Sequence, residues 1–192
     1  MRQALFNVLR HHGCFLQVAT SPRVNARANA PEGEIIFADL FAGSGAVGIE
    51  AASQGATSVF FVESHGLALD CLKENMARAK MAFQKQHVTM AFSVAPCTVA
   101  EAYGRLPLCN IIFSDPPYGK GYAKEVLSLE AMHSRIKHDG ILVIEENDPE
   151  FVLASLDREL RQASLRVLDQ KNYGDSTLFF FVKTSGETSQ KE

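Results

Sequence analysis

The sequence predicts an α/β fold: a doubly wound, mainly parallel seven-stranded sheet that ends in an antiparallel hairpin. Three observations carry this. Short apolar runs alternate with longer amphipathic stretches from residue 34 to residue 160. Several runs are apolar at consecutive positions (Ile35-Ile36-Phe37, Val59-Phe60-Phe61-Val62, Ile141-Leu142-Val143-Ile144), as in parallel strands covered on both faces. The end of the chain differs, with two strand-like runs joined by Tyr173-Gly174-Asp175, a hairpin signal.

Each element follows from its spacing. Residues 2–12 place Leu5, Phe6, Val8 and Leu9 on one helical stripe. Residues 17–34 are polar, contain two prolines and read as a loop. Strands are then predicted over 34–41, 57–64, 87–94, 109–115 and 140–146. Helices are predicted between and after them, over 44–54, 66–84, 97–104, 122–137 and 149–160. The final pair occupies 165–183, where Phe179-Phe180-Phe181 reads as core strand.

A chain of 192 residues suits one domain with a full core. That domain is expected over 1–184, with a basic helix and loop at 1–31 and a disordered polar tail at 185–192. Cys14, Cys71, Cys97 and Cys109 are scattered without metal or disulfide spacing, and His11-His12 is not a metal spacing, so no metal is expected. With no signal-peptide pattern and no bilayer-length apolar run, a reduced cytoplasmic protein without a membrane partner is expected.

Charge is uneven. Residues 1–31 carry Arg2, Arg10, Arg23 and Arg27 and no acid, leaving 15 of the 19 basic residues against all 22 acids in the remainder. A basic arm on an acidic body suits a nucleic-acid contact, and equally a solvated helix and loop.

In doubly wound sheets ligands bind beyond the carboxyl ends of the strands, at the topological switch point. The first strand ends there in Asp39-Leu40-Phe41-Ala42-Gly43-Ser44-Gly45-Ala46-Val47-Gly48. Gly43 and Gly45 permit a tight turn close to a ligand, and Glu63 ends the second strand, where a carboxylate can accept from two ribose hydroxyls. An adenosine-type cofactor follows, with Phe41 grouped among its contacts. The literal GxGxxG suits the pyrophosphate of NAD. Asp39 would repel a pyrophosphate and suits the cationic amino-acid end of S-adenosylmethionine.

The fourth strand decides between them. It runs into Ser114-Asp115-Pro116-Pro117-Tyr118. Proline fixes φ and restricts the residue before it, so Asp115-Pro116-Pro117 is a stiff bracket presenting a carboxylate and a carbonyl. Two such acceptors suit the two N–H groups of an exocyclic base amine, and Tyr118 offers a face for stacking. Hydrogen bonds to Asp115 and the Pro116 carbonyl favour the lone-pair-localised amine of a methyl-transfer transition state.

Taken together, the segments at 39–56, 60–63, 111–122 and 171–182, with Arg2–Leu9 before them, resemble the RsmD-type ribosomal RNA methyltransferases. The resemblance covers about residues 2–183. It implies S-adenosylmethionine as cofactor and methylation of the N2 amine of one guanosine in small-subunit ribosomal RNA, free or in an assembling subunit. Asp39, Gly43 and Gly45 would then line the methionine and ribose side, Glu63 the ribose, and Asp115, Pro116 and Tyr118 the flipped-out base. A monomer is expected.

Two departures from the family pattern stand out. Members carry a basic β-hairpin before the first helix, whereas here Met1 falls almost directly on that helix. The third strand ends Phe92-Ser93-Val94-Ala95-Pro96-Cys97-Thr98 without an acid, leaving Ser93 or the carbonyl near Ala95 to face the adenine amine. Adenine-N6 methylation of DNA or RNA, an NAD-dependent oxidoreductase and a catalytically idle RNA-binding relative are the other readings.

Overall fold

A computed structural model describes residues 2–15, 33–117, 121–128, 130–147 and 157–184. In chain order the elements are α1 Arg2–His11, β1 Ile36–Leu40, α2 Ala46–Ser53, β2 Ser58–Val62, α3 Gly66–Lys85, β3 Ala91–Ala95 and α4 Val99–Ala102. A single 3-10 turn, Tyr103–Arg105, follows. Then come β4 Cys109–Ser114, α5 Tyr122–Ser128, α6 Glu130–His133, β5 Ile136–Glu146, α7 Asp157–Gln162, β6 Leu165–Tyr173 and β7 Ser176–Lys183.

Seven strands form one sheet in the order β3-β2-β1-β4-β5-β7-β6. The first five are mutually parallel and β7 runs antiparallel to both β5 and β6. The predicted class therefore holds, with the switch point between β1 and β4. The consecutive apolar runs are explained by two core layers, one on each sheet face. Phe179 and Phe181 enter the layer beneath α5, while Leu178 and Phe180 enter the layer that holds α1. All three phenylalanines of β7 are 0% exposed; each contributes about 1.5–3 kcal/mol by leaving water. The stripe of α1, from Leu5 to Leu9, is buried in the same layer as Phe37 and Phe113.

Three boundaries differ from expectation. The third strand starts at Ala91 because α3 is still being capped up to Val88. His87 is left-handed (φ 57°), its N–H donates to the Gln84 carbonyl, and that of Val88 donates to the Phe83 carbonyl. This is a Schellman motif with histidine where glycine is usual. The fifth strand starts at Ile136 rather than 140. Ile136 pairs with Cys109, and the ladder absorbs His138-Asp139 as an irregularity, with Asp139 at φ 58°. The helix expected over 122–137 is accordingly two short segments. Of the helix expected over 149–160, only the part from 157 lies within the described residues, and the loop 17–34 and tail 185–192 lie largely or wholly outside them.

Among the described residues no helix is long and apolar enough to cross a membrane. No group of three or more His, Cys, Asp or Glu side chains there could hold a metal ion.

Candidate active site

The site is built where β1, β2 and β4 end. After Leu40, Phe41 takes a left-handed conformation (φ 59°), and the Ala42 N–H donates to the Val62 carbonyl at 2.9 Å, so β1 stays tied to β2 through the turn. Gly43 (φ 55°) and Gly45 (φ 76°) complete the reversal, and α2 starts at Ala46. A Cβ on Gly45 would lie 2.3 Å from Leu72 Cδ1, and one on Gly48 would lie 2.3 Å from the Phe61 ring. The motif is therefore a packing requirement as well as a turn: only hydrogen at these positions lets α2 press against β2 and α3. In front of Gly43, by contrast, nothing lies within 4 Å of an added Cβ.

Asp39 is not on the wall of the resulting cavity. It is 2% exposed, and its Oδ2 accepts from the Gly48 N–H at 2.8 Å, behind the glycine turn. Burial pushes its carboxyl up to about 8; the Gly48 bond opposes that, and the nearby carboxylates of Asp115 and Glu63 add to it. The sequence places Asp39 against the cofactor, whereas the fold makes it a buried anchor for the start of α2.

Glu63 does face the cavity. Its Oε2 accepts from the Gly43 N–H at 2.7 Å, and its Oε1 from the N–H groups of Ser64 and His65, both at 2.8 Å. One carboxylate thus braces the glycine turn against the β2–α3 loop while remaining on the wall.

Across the switch point, Leu40 pairs with Ser114 and Ser114 with Ile144. Phe41 and Asp115 therefore leave β1 and β4 at the level of Glu145, which is still on β5. Asp115, Pro116 and Pro117 form one side of the cavity. Burial pushes the Asp115 carboxyl up to about 6, with a further contribution from Glu145. Tyr118 lies outside the described residues.

The cavity measures about 600 Å³, within the range of small-molecule sites. Beyond Phe41 and Glu63 it is walled by Cys97 and Thr98, by Tyr103, and by Tyr122 and Glu125. Phe41 and Tyr122 pack ring to ring at 5.6 Å. None of the groups from Cys97 onward was singled out from sequence for this role. The Thr98-x-x-Glu101 spacing was the available signal. It forms a capping box, Glu101 N–H to Thr98 Oγ1 at 3.4 Å and Thr98 N–H to Glu101 Oε2 at 2.9 Å, which fixes the loop on the cavity. Ser93 is exposed on β3 and absent from the wall, and the Ala95 carbonyl already accepts from the Glu63 N–H at 3.3 Å.

Three carboxylates, Glu63, Asp115 and Glu125, line the cavity, and no lysine or arginine does so among the described residues. Such a wall attracts a cation and repels phosphate. A positively charged nucleoside fits it. A dinucleotide with two phosphates does not.

A family model described as "Conserved hypothetical protein 95" matches residues 1–182. Two curated relatives match in part. "Putative rRNA methyltransferase YlbH" of Bacillus subtilis is 32% identical over 109 residues, which cover 57% of this chain and 58% of the relative. "Ribosomal RNA small subunit methyltransferase D" of Haemophilus influenzae is 28% identical over 107 residues, covering 56% of this chain and 54% of the relative. The matched part of the chain thus spans little more than half the length of either. Among solved structures, "Putative methyltransferase yhhF from Escherichia coli" superposes with a TM-score of 0.67 at 19% identity, covering 96% of this chain and 84% of that one, a likeness of fold.

Proposed function

The chain belongs to the family described as conserved hypothetical protein 95, and on that premise we propose that it methylates ribosomal RNA. The cofactor is S-adenosylmethionine and the acceptor the exocyclic N2 amine of a guanosine in the small subunit. The observation that carries this reading is the meeting of Asp115-Pro116-Pro117 with Glu63 on one carboxylate-lined cavity at the switch point.

The residues divide the work. Glu63, held in place by three backbone N–H groups, accepts from the ribose hydroxyls with its remaining lone pairs. Phe41, on the cavity wall, covers the nucleoside, and Gly43, with nothing within 4 Å of an added Cβ, leaves the backbone of the turn open to approach. S-adenosylmethionine supplies, when bound, a methyl group activated on a cationic sulfonium. Asp115 and the Pro116 carbonyl accept the two N–H groups of the base amine and localise its lone pair toward that methyl group. As the new N–C bond formed and the bond from the methyl group to sulfur broke, leaving a neutral thioether, positive charge would pass to the nitrogen, where the Asp115 carboxylate stabilises it. Asp115 then accepts the proton that the nitrogen sheds and passes it to water. A carboxyl near 6 suits this exchange, being mostly ionised at neutrality yet basic enough to take a proton. Tyr118 completes the base site in the sequence reading. Substrate RNA enters as an unstacked strand or an assembling subunit, and the protein acts as a monomer in the cytoplasm.

Incubating the protein with methyl-labelled S-adenosylmethionine and small ribosomal subunits from cells lacking it tests the proposal. Label in N2-methylguanosine after digestion is the expected result. Label in N6-methyladenosine would keep the bracket and overturn the base, since the same two acceptors fit any exocyclic amine. Absence of label, with S-adenosylhomocysteine still bound, would remove the small subunit as the substrate.

A further inference from the structure

The third strand ends without an acid, so the cavity beyond Glu63 has to recognise a nucleobase with other groups. Few are free to do so. Thr98 is spent on its capping box, its hydroxyl donating to Glu101 Oε2 at 2.8 Å and accepting from the Glu101 N–H. The Ala95 carbonyl is taken by the Glu63 N–H. Glu63 and Asp115 serve other parts of the ligands.

Among the other polar side chains on this wall, which include Ser64, His65 and Tyr122, two stand out. Tyr103, in the turn that follows α4, is 6% exposed, lines the cavity, and its hydroxyl is buried with no hydrogen-bond partner among the described residues. A buried hydroxyl left without a partner is destabilising, so its retention on a cavity wall points to a ligand. Glu125, in the first turn of α5, is exposed on the same wall. The two are close enough for the Glu125 carboxylate to raise the Tyr103 phenol, second to burial.

Resting on the cofactor reading above, we propose that Tyr103 and Glu125 together read the 6-amino edge of the cofactor's adenine, taking the place of a strand-end acid. Adenine presents there an amino donor beside a ring-nitrogen acceptor. Glu125 offers only acceptors and takes the amino hydrogen; the Tyr103 hydroxyl donates to the ring nitrogen. The pair is contributed by the turn after α4 and by the helix that follows the Asp115 bracket. Cofactor recognition is therefore joined physically to the base-binding side of the cavity. A 6-oxo base is rejected, since its oxygen would face the Glu125 carboxylate.

The test is calorimetric binding of S-adenosylhomocysteine and of its 6-oxo (inosine) analogue, without RNA, to the unsubstituted protein, Tyr103→Phe and Glu125→Gln. The unsubstituted protein should prefer the adenine form by more than about tenfold. Tyr103→Phe should weaken S-adenosylhomocysteine about five- to tenfold. Its unliganded melting temperature should be unchanged or higher, which a purely structural tyrosine would not give. Glu125→Gln, whose amide can donate to a 6-oxo group, should erase most of the preference. Full affinity and preference in both variants would overturn the inference while leaving the cofactor reading intact. If the unsubstituted protein bound neither compound, the cofactor reading would fall, and this inference with it.

Discussion

The Glu63 carboxylate accepts a 2.7 Å hydrogen bond from the Gly43 N–H, twenty residues earlier in the chain. The same side chain also holds the N–H groups of Ser64 and His65. The residue that would bind the ribose is thus also the one that sets the shape of the glycine turn. Glu63→Ala should therefore do two things at once. Affinity for S-adenosylhomocysteine should fall by about tenfold or more, and the unliganded melting temperature should drop by about 2–4 °C. Calorimetry and thermal denaturation of one preparation would check both. Unchanged stability with lost affinity would mean that the brace is not needed to hold the turn.

Asp115 is expected to separate binding from turnover. Asp115→Ala should lower methyl transfer by about a hundred- to a thousandfold, with S-adenosylhomocysteine affinity little altered. Turnover near the unsubstituted level would contradict the bracket mechanism.

The pH dependence of turnover follows from the same carboxyl. Burial lifts Asp115 to about 6, and only the ionised form can both stabilise the charge on the amine and take its proton. Single-turnover rates should rise with pH through about 6 and level off above it. A profile flat from pH 5 to 8 would show that ionisation of Asp115 does not control turnover.

Asp39 governs stability instead. The folded protein holds its proton up to about pH 8, whereas an unfolded aspartate releases it near pH 4, as an order of magnitude. Between those values the folded state binds more protons, so this group's contribution to stability is present at low pH and is lost as pH rises through about 8. Asp39→Asn should flatten that slope. Denaturant midpoints of both proteins at acidic and at mildly alkaline pH should therefore diverge in the variant's favour as pH rises. Parallel pH dependences would assign the titration elsewhere.

Gly48 tests the packing side of the glycine motif. An added Cβ would meet the buried Phe61 ring at 2.3 Å and Val59 Cγ1 at 2.9 Å. Gly48→Ala should destabilise by about 1–3 kcal/mol, read as a shifted denaturant midpoint. A neutral effect would show that α2 can move off β2 freely.

Much of this was legible in the sequence because it depends on local chemistry. Consecutive apolar residues mark strands covered on both faces, and Tyr173-Gly174-Asp175 marks a hairpin turn with Gly174 at φ 58°. The paired glycines and the proline bracket signal special backbone within a few residues. Boundaries were less legible where a helix cap and a strand start compete for the same residues, as at Gln86–Val88 and Ile136–Gly140.

The sequence by itself determined the sheet, its switch point, and the presence there of Glu63 and Asp115, because periodicity and turn chemistry act over neighbouring residues. Only the tertiary structure decided which groups share a wall. It withdrew Asp39 beneath α2, where a buried N–H of Gly48 needed an acceptor. It also brought Tyr103 and Glu125 together from elements twenty-two positions apart. Which side chains meet across a cavity is set by the packing of helices on the sheet, and no local pattern encodes that.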